Sequence, residues 1–284
     1  MRKHYTVAGH GFIVDAEDSV FTEMKQYQPF MDDEDSNTLF SLRIQKSDTP
    51  IIYRECHRQE DEGASMICGE TPDGKTVLEF QIRNEVMGRL VCNHDFTEGD
   101  VYYTGRRFYV VNNSLMMMYT FITSDKLTTL FHSSVVSYQG KAYMFLGKSG
   151  TGKSTHSQLW LKHIEGTELV NDDNPVVRII EGEARVYGSP WSGKTPCYRN
   201  VNYPIGGIVK LKQAPHNKIR RMKPVEAYVA LAMSISGMRW KKQMGDGLHQ
   251  TENQLTATVP VWHLSCRPDQ EAAEICSKTI INQA

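Results

Sequence analysis

Gly147-Lys148-Ser149-Gly150-Thr151-Gly152-Lys153-Ser154 fits the pattern G-x-x-x-x-G-K-[ST] at every position. Those residue types at that spacing suit one task, which is holding a chain of phosphates. The glycines let backbone N–H groups converge on phosphate oxygens, and the helix they lead into adds its partial positive charge. Lys153 is expected to reach the β- and γ-phosphates and Ser154 to ligate Mg²⁺. Flanking residues fit the required geometry. The apolar run 143–146 reads as a strand before the loop, and 154–161 reads as a helix after it.

About twenty residues on, Leu169-Val170-Asn171-Asp172-Asp173 is a short apolar run ending in two acids. Nucleotide enzymes of this loop type hold Mg²⁺ with an acid at a strand end. A second carboxylate can then take the proton of an attacking hydroxyl. Either of Asp172 and Asp173 suits either role. Neighbours on a strand face opposite ways, so both serve one site only if the strand bends, and Asn174-Pro175 supplies a break. The segment 187–199 holds two glycines, two prolines, Trp191, Lys194 and Arg199, and reads as a shaped loop. Lys194 or Arg199 would screen the transferring phosphoryl group, while Trp191 would stack on a base or close as a lid. His132 is a candidate helper, orienting the acids or touching phosphate. Arg178 and the group Lys218, Arg220, Arg221 and Lys223 read as solvated charges.

The nine residues Gly147, Lys148, Ser149, Gly150, Thr151, Gly152, Lys153, Ser154 and Thr155, followed by Asn171-Asp172-Asp173, resemble the HPr kinase/phosphorylase group. That group belongs with the phosphoenolpyruvate carboxykinase-like P-loop kinases. His132 matches a histidine that HPr kinases place upstream of the loop, and the resemblance covers roughly 130–270. It implies an α/β fold, a P-loop kinase domain with a mixed sheet, ATP and Mg²⁺ as cofactors, and phosphorylation of a serine hydroxyl. Thr155 stands where HPr kinases usually carry an acid, and their Arg-Gly-Ile-Gly signature is missing, the 187–199 loop standing in its place. The chain is therefore expected to be a divergent member rather than a true HPr kinase, with the reverse phosphorylase reaction left open.

The elements that must position these groups can be read from the same chain. Its 284 residues are 40% hydrophobic and 23% charged, which allows a sizeable core and excludes a disordered or fibrous protein. Residues 1–112 are expected to be a β-rich acidic domain, with strands at 12–14, 39–44, 76–82 and 107–111 and a Pro-Gly turn at 71–75. Asp32-Asp33-Glu34-Asp35 reads as a solvated acidic loop. Residues 113–284 are expected to form the α/β domain. It would open with a helix over 115–122 capped by Ser114. A hairpin of 134–137 and 142–146 would follow, then helices at 153–163, 224–238 and 269–281 and strands near 175–180, 205–212 and 259–265.

Charge and cysteine content narrow the partners. Residues 1–100 hold 10 Lys+Arg against 20 Asp+Glu, and residues 101–284 hold 22 against 13. An acidic front repels nucleic acid and the basic charges of the back are scattered, so an anionic small ligand is expected rather than nucleic acid. No apolar run approaches the roughly 20 residues that span a bilayer, and no export signal follows Met1, so a cytoplasmic protein with no membrane partner is expected. The six cysteines form no CxxC pair; Cys56-His57 and Cys92-Asn93-His94 are poor zinc spacings, and free thiols are expected. The resulting expectation is an ATP- and Mg²⁺-dependent kinase acting on a hydroxyl of a peptide or protein. The rivals are a kinase of a free metabolite and a nucleotide-dependent switch that phosphorylates nothing. A homo-oligomer is expected on the resemblance alone.

Overall fold

The computed structural model describes residues 1–32, 37–61, 63–193 and 195–282. The chain divides into two compact units, Met1–Ile122 and Thr123–Ala284. The acidic loop at 32–35 lies largely outside the described residues, and Lys194 lies outside them altogether.

The first unit is one eight-stranded sheet with its helices. Its elements are β1 (Arg2–Val7), β2 (His10–Asp15), α1 (Asp18–Glu23), β3 (Thr38–Lys46), β4 (Arg54–Asp61), β5 (Ala64–Glu70), β6 (Thr76–Ile82), β7 (Glu85–Cys92), β8 (Glu98–Tyr103) and α2 (Arg107–Thr123). The strand order is β1-β2-β3-β8-β7-β6-β5-β4, with β2–β3 and β3–β8 parallel. The turn expected at 71–75 joins β5 to β6, and there Thr71 Oγ1 accepts from Lys75 N.

One expectation fails here. Residues 107–111 are not a strand but the first turn of α2, and Ser114 lies inside that helix rather than capping it. The β-branched and aromatic run Arg107-Phe108-Tyr109-Val110-Val111 favours a strand locally. Burial decides otherwise: Val111, Leu115, Met118 and Tyr119 are all buried, at the spacing of one helix face. The boundary expected at 112/113 therefore falls within α2, and the compact units part at Ile122.

The second unit is α/β with a mixed sheet. It runs β9 (Thr128–Leu130), β10 (Ser133–Tyr138), β11 (Lys141–Leu146), α3 (Lys153–His163), β12 (Glu168–Asp173), β13 (Val176–Ile180), β14 (Glu183–Tyr187), β15 (Asn202–Gln213), β16 (Lys218–Arg221), α4 (Pro224–Ala232), α5 (Lys242–Thr258), β17 (Val261–Cys266) and α6 (Gln270–Ile281). Across the part that matters here the order is β12-β10-β11-β15-β17-β16, with β11, β15 and β17 parallel. Alternation along β10 and β11 builds two cores. Val136 and Phe145 meet Trp160 of α3 and Ile280 of α6, whereas Val135 and Met144 meet Leu231 of α4 and Leu248 of α5. Helix α4 stops at Ala232, short of the expected 238, and α5 was not anticipated.

The six cysteines carry no disulfide. No helix among the described residues is long and apolar enough to cross a membrane.

The α3 core makes one prediction. Trp160 Nε1 donates to His156 Nε2 at 3.2 Å, and burial pushes the imidazole down to about 4. The unfolded chain protonates near 6.5, so its proton uptake favours unfolding as pH falls. Stability is complete above pH 6.5 and falls by about 3 kcal/mol as pH drops through 4. His156→Gln is expected to flatten that acid limb in denaturant melts between pH 7 and 4.5; a limb of unchanged depth would exclude His156 as its source.

Candidate functional site

The loop between β11 and α3 is set by backbone geometry. Gly152 has φ +104°, a conformation that side-chain-bearing residues rarely adopt, and it delivers the chain directly into Lys153, the first residue of α3. No side chain among the described residues caps that helix start. The loop is braced from within by Thr151 N donating to Lys148 O, and from β15 by Gln213 Nε2 donating to Gly150 O at 3.2 Å.

Lys153 folds back over the loop. Its ammonium donates to Gly147 O at 3.0 Å and contacts His132 Nε2 at 2.8 Å. His132 Nδ1 in turn lies 2.9 Å from Asp173 Oδ1. An ammonium has no lone pair, so Nε2 must accept; the ring proton therefore sits on Nδ1 and is donated to Asp173. Lys153, His132 and Asp173 thus form a continuous chain from the loop to the end of β12. Lys153 is 8% exposed. Burial pushes its pKa down, opposed by the charges of Asp173 and Asp172.

The two acids differ in surroundings. Asp172 pairs with Ser134 of β10, whose hydroxyl lies 2.6 Å from that of Ser157 on α3. Directly opposed residues share a sheet face, so Asp172 lies on the face that α3 covers. A register shift at Val135/Val136 sets this facing. Asp172 is 4% exposed and its Oδ2 has no hydrogen-bond partner among the described residues. Asp173 closes the strand and stays partly open; its Oδ2 accepts from Asn174 Nδ2 at 2.9 Å.

The segment after β14 is strapped to this strand end. Asn171 Nδ2 donates to Ser189 Oγ at 3.1 Å, Ser189 Oγ donates to Asn174 O, and Gly193 N donates to Asp172 O. Trp191 is 2% exposed, so it is a core side chain and neither a lid nor a base-stacking surface. Trp191→Ala is expected to destabilise the fold by about 3–5 kcal/mol in urea titrations. A loss under 1 kcal/mol would contradict this core role.

The structure brings together the loop 147–152, Lys153, His132, Asp172 and Asp173, with Ser154 and Thr155 exposed in the first turn of α3. It does not bring Arg199 to them. Arg199 donates to Leu169 O at 2.7 Å and pairs with Glu168, at the start of β12 and roughly 16 Å along the strand from Asp173. Lys194 cannot be placed, as it lies outside the described residues. Lys210, Lys212, Gln213 and His263, which flank the loop on its other side, were not anticipated. The only trace of them in the sequence is the alternation Lys210-Leu211-Lys212 on a strand.

No family model and no curated protein matches the chain by sequence. A distant structural neighbour is the HPr(Ser) kinase/phosphatase from Coxiella burnetii. It is 10% identical, with a TM-score of 0.33, over 54% of this chain and 95% of that one.

Proposed function

We propose that residues 123–284 form an ATP- and Mg²⁺-dependent kinase that transfers the γ-phosphoryl group to a hydroxyl, a serine of a peptide or protein being the expected acceptor. The observation that carries this reading is the Lys153–His132–Asp173 chain beside the glycine loop. It joins a phosphate-binding cation to a carboxylate that can take a proton.

Mg²⁺ fits the residues present. Asp172 has a buried carboxylate oxygen without a partner among the described residues, and Ser154 offers an exposed hydroxyl at the helix start. A magnesium ion in such a site keeps most of its shell as water and phosphate, so two protein ligands suffice. Once bound, the ion would neutralise charge on the β- and γ-phosphates.

The chain's own groups do the rest. Lys153 would exchange its loop carbonyls for phosphate oxygens, and the N–H groups of the loop and of α3 would hold the β-phosphate. His132, its Nδ1 proton donated to Asp173, fixes that carboxylate in one orientation. Asp173 would accept the acceptor's hydroxyl proton as the new O–P bond forms and the bond from phosphorus to the ADP oxygen breaks.

The test follows the terminal phosphate of labelled Mg-ATP in a desalted lysate, with wild type compared with Lys153→Ala. An acceptor labelled by wild type alone supports the kinase, and its size separates a protein from a metabolite. Wild type that binds ATP and labels nothing above the variant overturns the reading in favour of a switch.

A further inference from the structure

On the flank of the loop away from the acids lies an open groove of about 880 Å³. Its floor is a row across the sheet. Leu146 of β11 is in register with Lys210 of β15, Lys210 with His263 of β17, and His263 with Arg220 of β16. One side is the loop, 147–151, and the other is α4.

The charges in the groove are unevenly spent. Arg220 is held by both oxygens of Glu226, at 2.8 Å each, which offsets part of its charge. The ammonium groups of Lys148, Lys210 and Lys212 have no carboxylate or hydrogen-bond partner among the described residues. Burial, and then the field of Arg220, Lys212 and Lys210, holds His263 below the ordinary imidazole range, in keeping with net positive charge there. Above the lysines α4 presents Val225 and Val229, one helical turn apart, 76% and 47% exposed. Three free cations beneath an uncovered apolar pair form an amphipathic surface that runs on from a phosphate loop.

We infer that this groove receives the nucleoside half of the triphosphate, with the valines against the base and Lys210 and Lys212 toward the α-phosphate end. The inference rests on the kinase reading and adds the ligand's orientation to it. Strand order selects this occupant over the acceptor. Asp173 is on β12, two strands to one side of the loop's strand, and the groove spans β15, β17 and β16 on the other. At about 4.8 Å per strand, β12 and β17 are roughly 19 Å apart. Reacting atoms must approach to about 3–3.5 Å, so a hydroxyl seated in the groove is out of reach of a γ-phosphate beside Asp173. A nucleotide whose γ-phosphate faces Asp173 directs its other end into the groove.

The double variant Val225→Asn with Val229→Asn tests this, because both side chains are exposed and the change adds no charge. Calorimetric titrations with Mg-ATP and with Mg-tripolyphosphate are compared for wild type and variant. Losing the apolar contact should weaken ATP binding about tenfold and leave tripolyphosphate within about twofold. Unchanged ATP affinity, or equal losses for both ligands, overturns the assignment while the kinase reading stands. Wild type that binds neither ligand overturns the kinase reading and the groove's role with it.

Discussion

Asp173→Asn should lower kcat by about two to four orders of magnitude while the KM for ATP stays within about threefold, the signature of a lost proton acceptor. The substitution keeps the shape of the side chain. An amide oxygen can still accept from His132 Nδ1, now 2.9 Å from Asp173 Oδ1, so the chain to Lys153 survives and only basicity goes. Asp172→Asn should behave differently. Its oxygen is buried on the α3 side and unpartnered among the described residues, so its loss should raise the Mg²⁺ concentration needed for half-maximal rate. Steady-state kinetics over a magnesium series separates the two. If Asp173→Asn shifts the magnesium dependence and Asp172→Asn does not, the roles are exchanged. If neither lowers kcat, the pair is not the reacting centre.

What could be read in the sequence was whatever depends on local spacing. Strand 76–82 and helix 153–163 have the expected bounds, because the β-branched and aromatic content of the first and a glycine loop in front of the second are short-range signals. The pairing of Lys153 with Asp173 through His132 was only partly visible. His132 stands 21 residues before Lys153, and their contact depends on β10 and β11 lying side by side. Helix α5 (Lys242–Thr258) carries two glycines, which are poor helix formers. Gly247 is there for space: a Cβ would come 2.4 Å from Ser124 O. Likewise, the cations of β15 and β16 look scattered along the chain. They form a row only when register sets Lys210 beside His263 and His263 beside Arg220. Trp191 and Arg199 misled for the opposite reason. Each has the chemistry for a ligand, yet one is in the core and the other is occupied by Glu168.

Lys153→Met should abolish transfer, at least about a thousandfold in kcat/KM, and leave the fold nearly as stable as before. The two halves of that prediction have separate causes. Lys153 is 8% exposed, and its ammonium pays a desolvation penalty that shows as its lowered pKa. An apolar side chain of similar length removes the penalty, which favours the fold. The same change strips a donor from Gly147 O and His132 Nε2, at about 1 kcal/mol each. These contributions oppose one another, so the unfolding free energy should move by less than about 2 kcal/mol. If Lys153 binds phosphate as proposed, that desolvation cost serves binding rather than the fold. The lowered pKa adds a direction for pH. Because only the charged form binds phosphate, wild-type ATP affinity should start to fall at a pH below the ordinary lysine value of 10.5, and the Met variant should show no such limb. Denaturant melts and an ATP titration over pH 7 to 10 read both halves. A variant that unfolds would make Lys153 structural, and one that still transfers phosphate would remove it from the reaction.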